Sequence, residues 1–358
     1  MAQVTRRVVA WVGRGTSAVQ RTLITSRIDA SHSERILSLD SIRGIAILMV
    51  VLAHFLPLRI DLGEVGYHVI SLGRGGVLLF FLLSGYLIFR NVERQPLPTF
   101  LSRRLFKIFP AYCVNVLLLY LIARLGASSE NWTPDVFFAN FFMLQDVFHK
   151  SSMSGLYWTL LVEVKFYLLI AFHYWLFGRR GLLATLLCVV AINLVVFEVR
   201  GYASQLLTYL PIFFVGIEIR RAEQAAWNVP SLCRLGGVGL LVALSLGLFD
   251  GFYPIWSAIY VFGEAAIFVM GLQRGFYNGV LGLFGRISYS HYLCHNIGYV
   301  MLAWIPVLLW PAANLATVAT VVALITVLAY VSYRAVEIPM VNFGKSLESI
   351  WRAQTGLA

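Results

Sequence analysis

Long apolar runs, separated by short clusters of basic residues, set the pattern of this chain. A helix of roughly 17–25 apolar residues is long enough to cross the hydrocarbon core of a bilayer. Such windows predict spans near residues 44–60, 72–89, 108–125, 157–177, 182–198, 203–219, 236–250, 253–272, 287–308 and 313–333. The expected fold class is therefore all-α, a polytopic membrane helical bundle of about ten transmembrane helices. Residues 37–340 form its membrane domain. Residues 1–36 read as a basic N-terminal segment, either disordered or an interfacial amphipathic helix. Their apolar stretch, Val8 to Val12, is broken by Gly13-Arg14-Gly15 and is too short for a secretory signal. Residues 341–358 read as a C-terminal tail too short for a further domain.

Charge supports the count. With the N-terminus inside and the spans alternating, all of the 28 Lys and Arg fall on the inner side except Arg59, Arg74, Arg124, Lys150, Lys165 and Arg200. One miscounted helix would swap sides for every later cluster, so the positive-inside asymmetry fixes both termini in the cytoplasm. Composition agrees, with 59% hydrophobic and only 13% charged residues, about half the charged share of a soluble domain. The net charge of +11 lies in loops where it meets anionic headgroups, which removes nucleic acid as a partner and makes membrane lipid one. Cys113, Cys188, Cys233 and Cys294 show neither CxxC nor metal-type spacing, so neither a disulfide framework nor a metal site is expected. The longest outer loop, roughly Gly126 to Gly155, carries Trp132, Phe137, Phe138, Phe141 and Phe142. It reads as a lid, an interfacial helix or a headgroup-level aromatic belt.

Ionisable residues inside spans are costly and mark functional candidates. They are Arg43 and His54 in the first span, Glu163 and Lys165 in the fourth, His291 and His295 in the ninth, and more weakly Glu218 and Glu264. Glu218 sits near a helix end beside Arg220 and Arg221, where pairing suffices to explain it. Arg43 and His54 share a helix face, with His54 about 9 Å below the outer surface; Glu163 enters its own span to about the same depth. Two readings of this match stand: a histidine with its orienting carboxylate, or two unrelated structural hydrogen-bonding groups. His291 and His295 have the i, i+4 spacing that can bind metal, yet no HExxH or added carboxylate accompanies them. Gly75, Gly76 and Gly85 permit close helix or ligand approach. Ser84 lacks the GxSxG elbow of serine hydrolases. Arg103, Arg104 and Lys107 form a basic cluster that either anchors topology or grips phosphates, and no Walker or Rossmann motif is present.

Taken in order, several segments resemble the acyltransferase-3 family of membrane acyltransferases. Leu39-Asp40-Ser41-Ile42-Arg43-Gly44-Ile45-Ala46 with His54 is similar to its opening motif and Arg-x10-His spacing. The run Gly76-Val77 to Tyr86 resembles its GVxxFFxLSGYLI pattern, and Arg103-Arg104 through Lys107 to Tyr112 its RRxxRIxPxY segment. Trp158-Thr159-Leu160-Leu161-Val162-Glu163 with Phe166-Tyr167 resembles WTLxVExxFY. Phe214, Gly216 and Arg220 fit a weaker pattern; Ser288-Tyr289, Tyr292-Leu293 and His295 resemble SYxxYLxH, and Glu337 with Pro339 the closing Glu-x-Pro. Lys107 stands where the family usually has arginine, and Lys165 where an acidic residue is more usual, so a second-carboxylate role is not carried over.

The resemblance implies transfer of an acyl group, commonly acetyl, from acetyl-CoA or another acyl-CoA to a hydroxyl. It places catalysis on His54, as general base or as acylated nucleophile, with Glu163 orienting it. It assigns the anionic donor to Arg43, Arg103, Arg104 and Lys107, and substrate contacts to Ser84, Tyr86, Trp158 and His295. The implied acceptor is a carbohydrate or glycoconjugate such as a surface polysaccharide or lipopolysaccharide sugar; a small secondary metabolite such as a macrolide is the alternative. The implied location is the bacterial cytoplasmic (inner) membrane. A proton-coupled transporter is the rival from another class, since buried His, Glu and Lys suit it too, but paired interrupted helices in matching halves are missing.

Overall fold

The computed structural model describes residues 37–56, 64–126, 132–250, 254–309 and 315–355. Residues 1–36 and 356–358, which the sequence assigns to terminal segments, lie outside the described residues. Helices account for nearly all of the rest, with no strand among the described residues. In chain order they are α1 (Leu37–Leu56), α2 (Glu64–Val92), α3 (Leu97–Arg124), α4 (Pro134–Phe141), α5 (Tyr157–Phe177), α6 (Leu182–Arg200) and α7 (Gln205–Gln224). There follow α8 (Val229–Phe249), α9 (Pro254–Gln273), α10 (Gly279–Arg286), α11 (Ser288–Leu309), α12 (Leu315–Ser332), a π-helical segment (Tyr333–Glu337) and α13 (Ile338–Thr355).

Among the described residues, eight helices are long and apolar enough to span: α1, α2, α3, α5, α6, α8, α9 and the continuous run through α12 and α13. The protein is a multi-pass membrane helical bundle. The other two expected spans, α7 and α11, have spanning length, at 20 and 22 residues, but carry polar groups inward. In α7 nearly every residue from Thr208 to Arg220 is buried, as befits a helix at the centre of the bundle rather than at its lipid face. Four helices start well before their apolar windows: α1 at Leu37, α2 at Glu64, α3 at Leu97 and α8 at Val229. The windows mark the lipid-crossing part alone, and the helices extend past it into ends where Arg and Lys find partners.

Without a hydrophobic drive between helices in lipid, close packing depends on small residues that let backbones meet. The α2–α7 contact is extensive. There a Cβ on Gly85 would lie 2.0 Å from the Phe213 carbonyl oxygen, and one on Gly216 would lie 2.1 Å from that of Leu82. The glycines of α2 thus serve helix approach: Gly76 faces the Ala46 carbonyl of α1, and Gly75 the Glu264 carboxyl of α9. At the basic end, Gly44 abuts the Leu281 carbonyl and Gly285 that of Asp40. These contacts seat α10 against the start of α1.

The aromatic loop contains the short helix α4, started by Pro134 at its first position. Phe138 and Phe142 are exposed, while Asn140 is fully buried and ties the loop together through Val136, Ser151 and Met153. Asp135 pairs with Lys150 at 2.7 Å; hydrogen bonds from Lys150 and Thr133 hold its carboxyl at about 2. The loop also folds back along the bundle. Ser154 bonds Asn296 of α11 at 2.6 Å, and Asp146 pairs with Lys165, two turns into α5. Lys165, an intramembrane cation by sequence, is therefore a loop anchor. Residues 341–355, read as a tail, continue α12 as a helix that packs on α3, with Phe343 against Phe106 and Glu348 bonded to Arg103 at 2.8 Å. All four cysteines are free thiols.

Candidate active site

One cavity of about 110 Å³ opens among α1, α2, α3, α5, α10 and α11. Arg43, Arg104, Lys107 and Arg286 supply four cations to its lining, and Glu163 one carboxylate. Each cation arrives for a local reason. Arg43 and Arg286 are brought together by the glycine contacts of α1 with α10. Arg43 is steadied by Asp40 one turn earlier, at 3.9 Å. Arg104 and Lys107 are i and i+3 on α3 and so share a face. The Arg104 guanidinium lies over Phe100 (5.8 Å) and Tyr167 (5.7 Å), and its Nε is a buried donor without a partner. Lys107 bonds the buried carboxylate of Glu337.

Glu163 lines the same cavity. Its Oε1 accepts from the Ser84 hydroxyl at 2.6 Å and from the Tyr167 hydroxyl, one turn on along α5, at 2.5 Å. Beyond it the wall is closed by Tyr292, whose hydroxyl bonds Thr159 at 2.5 Å and donates to the Leu156 carbonyl at 3.0 Å.

His54 lies outside that cavity. Its ring meets His295 edge to face, with centroids 5.2 Å apart. Nδ1 stands 2.6 Å from the Val50 carbonyl oxygen of its own helix. A carbonyl only accepts, so Nδ1 carries the proton and Nε2 keeps a bare lone pair. His295 is fully buried and neither of its ring nitrogens has a partner. It also touches Tyr292 (5.6 Å) and His291 (6.3 Å). His291 bonds Thr326 at 3.0 Å, and among the described residues no group of three His, Cys, Asp or Glu converges as metal ligands would.

The structure therefore brings together Arg43, Arg104, Lys107, Glu163 and Ser84 from the residues singled out by sequence, and pairs His54 with His295. It does not join His54 to Glu163. His54 packs on His295, His295 on Tyr292, and Tyr292 bonds Thr159 of the cavity wall; matching depth left the lateral position around the bundle undetermined. Arg103 points away from the cavity to Glu348. Tyr86 is fully buried with its hydroxyl on Glu223 at 2.7 Å, and Trp158 packs on Phe81 and Tyr209. Arg286, Tyr167 and Tyr292 were missed as site residues. The available signal for Arg286 was its place just before the polar run from Ser288 to His295. For Tyr167 it was the i+4 spacing from Glu163. The other intramembrane carboxyl group close to a cation cluster, Glu218, is bonded to Arg221 and Arg234 at the end of α7.

A family model described as an acyltransferase domain matches residues 36–334. Neither the curated proteins nor the solved structures contain a match.

Proposed function

Because the chain belongs to the acyltransferase-3 family, and is thus a membrane acyltransferase, we propose that it transfers an acyl group from acyl-CoA to a hydroxyl of a carbohydrate or glycoconjugate. The observation that carries this reading is the single cavity lined by Arg43, Arg104, Lys107 and Arg286. Acyl-CoA is a cytoplasmic anion rich in phosphate, and four basic side chains in one lining offer it cationic partners. Arg104, with an unpartnered donor at the wall, offers the planar fork that suits phosphate oxygens. On this reading the basic end faces the cytoplasm, the protein sits in a bacterial inner membrane, and acetyl is the expected acyl group.

The donor's arm runs inward past Ser84 and Glu163. Glu163 Oε1 is already held by Ser84 and Tyr167, which leaves Oε2 for the amide or hydroxyl groups of that arm. His54 stands on the far side of Tyr292 and His295, where the acceptor hydroxyl approaches. Its bare Nε2, set by the Val50 carbonyl, is the group the chemistry needs. In one route Nε2 takes the hydroxyl proton while the oxygen bonds the acyl carbon and the carbon–sulfur bond breaks; the departing thiolate then recovers a proton as CoA thiol. In the other, the same lone pair bonds the acyl carbon as the carbon–sulfur bond breaks and CoA leaves as thiolate; the acceptor oxygen then takes the acyl carbon as the nitrogen–carbon bond breaks, and the hydroxyl proton restores CoA as the thiol. On this reading the Val50 carbonyl fills the orienting role that the family resemblance assigned to Glu163.

The test is acyl-CoA turnover by purified protein in lipid nanodiscs, with a panel of sugar and macrolide hydroxyl acceptors. Wild-type turnover lost in a folded His54→Ala protein is the expected result. Full transfer by that variant would overturn the assignment of His54, and a wild type that neither binds nor consumes acyl-CoA would overturn the donor.

A further inference from the structure

The transition from α12 to α13 is helical throughout but changes register at the π segment Tyr333–Glu337. A π turn inserts one residue into an α-helix and rotates every later side chain by about 100°. Such inserts commonly mark working parts of a protein. Here the last residue of the insert is Glu337, only 2% exposed. Its Oε1 accepts from Lys107 of α3 and its Oε2 accepts from the Ser290 hydroxyl of α11 at 2.9 Å. Ser290 is itself fully buried.

A buried carboxylate is costly unless both oxygens are satisfied and a cation faces it. Glu337 meets both conditions, and its cation is a cavity residue. An ammonium has three donors. One is committed to Glu337, which leaves two for an anion in the cavity. Lysine lacks the rigid fork of arginine, and its four-carbon stem has to be held from outside to keep a fixed position.

We propose that Glu337 is a positioning residue: through the Lys107–Glu337–Ser290 bridge it holds the Lys107 ammonium at the cavity wall, aimed at the phosphates of the acyl donor. The inference rests on the donor reading given above. It gives a single purpose to three features separated in sequence, the basic cluster of α3, the serine before His291 and the Glu-x-Pro that closes the domain. It also accounts for the π insert, because an uninterrupted α-helical register would turn residue 337 away from α3 and α11.

The experiment measures binding of coenzyme A to the full chain in nanodiscs, for wild type, Lys107→Met, Glu337→Gln, the double variant and Ser290→Ala. Glu337→Gln is expected to weaken binding about tenfold, as loss of a charge-assisted bond does. In the Lys107→Met background the same change is expected to do almost nothing, an outcome that a general structural role would not produce. Ser290→Ala removes one bond without unpairing the charge, so it reports on the bridge even where Glu337→Gln fails to fold. It is expected to weaken binding a few-fold, again only when Lys107 is present. Binding by folded Glu337→Gln as tight as wild type, or a loss that adds in full to that of Lys107→Met, overturns the positioning role. A wild type with no affinity for coenzyme A overturns the donor reading instead.

Discussion

Replacing Gly85 by alanine tests whether the α2–α7 seam positions the site. The new Cβ would lie 2.0 Å from the Phe213 carbonyl oxygen and 2.8 Å from its carbon. An ordinary carbon–oxygen contact is about 3.3 Å, so the helices have to part by about 1.3 Å. Neither side can yield by rotating a side chain, because the obstacle is backbone. Overpacking of this kind costs roughly 1–3 kcal/mol, and the rigid obstacle argues for the upper end. Alanine returns at most about 1 kcal/mol through helix propensity, which leaves a net loss of about 2 kcal/mol. The shift also reaches the cavity. Ser84 is the preceding residue and bonds Glu163 at 2.6 Å; a displacement of this size breaks that bond. A bond to a charged group is worth about 1.5–3 kcal/mol, so acyl-CoA consumption is expected to fall at least tenfold. Thermal unfolding and turnover in nanodiscs read the two effects. Gly236→Ala and Gly237→Ala in α8 meet nothing within 4 Å and serve as controls, expected to be neutral or stabilising. A Gly85→Ala protein as stable and as active as wild type would refute the reasoning.

Other expectations follow from single contacts. Arg104→Lys keeps the charge but loses the fork and the stack on Phe100 and Tyr167; KM for acyl-CoA should rise about tenfold with little change in unfolding temperature. Arg103→Ala, outside the cavity on Glu348, should leave KM for acyl-CoA unchanged, and a tenfold rise would return Arg103 to the donor site. Glu163→Gln weakens the acceptor offered to the donor's arm and should raise KM for acyl-CoA about tenfold, measured by kinetics and by coenzyme A titration in parallel; unchanged binding would remove Glu163 from the donor's path. Tyr86→Phe removes the bond to Glu223 and should lower stability by about 1–2 kcal/mol without altering KM, as thermal unfolding and steady-state rates will show.

Hydrophobic windows located the helices because a membrane span has to be apolar for a length set by the bilayer. Their true ends were hidden, since polar residues at helix ends are paid no penalty for leaving lipid. The α3 helix gains eleven residues before Ile108, and among them are Arg103, which meets Glu348, and Arg104, which lines the cavity. The α7 span was legible by length, but its burial on all sides was not: only tertiary packing decides which helix occupies the centre. The loop from roughly Gly126 to Gly155 was seen to be aromatic; that it folds back to Asn296 and Lys165 depends on pairings 142 and 19 residues apart.

The site was legible to the extent that its chemistry lies along single helices. Arg104 and Lys107 share a face by spacing, and they do line the same cavity. Depth along the membrane normal could be counted for His54 and Glu163, but position around the normal could not, because it is set by which helices touch. The glycine contacts Gly73–Ala53 and Gly76–Ala46 place α2 directly against α1, while Glu163 of α5 is bonded across to Ser84 on another stretch of α2. Two groups expected at equal depth thereby have different surroundings, Glu163 in the lining of the cationic cavity and His54 against the buried His295 of α11. That division suits a transferase better than a contact would. On the proposed function, a highly charged donor and a hydroxyl acceptor would each need an approach of their own, and the polar groups of Thr159, Tyr292 and His295 are where the two would meet.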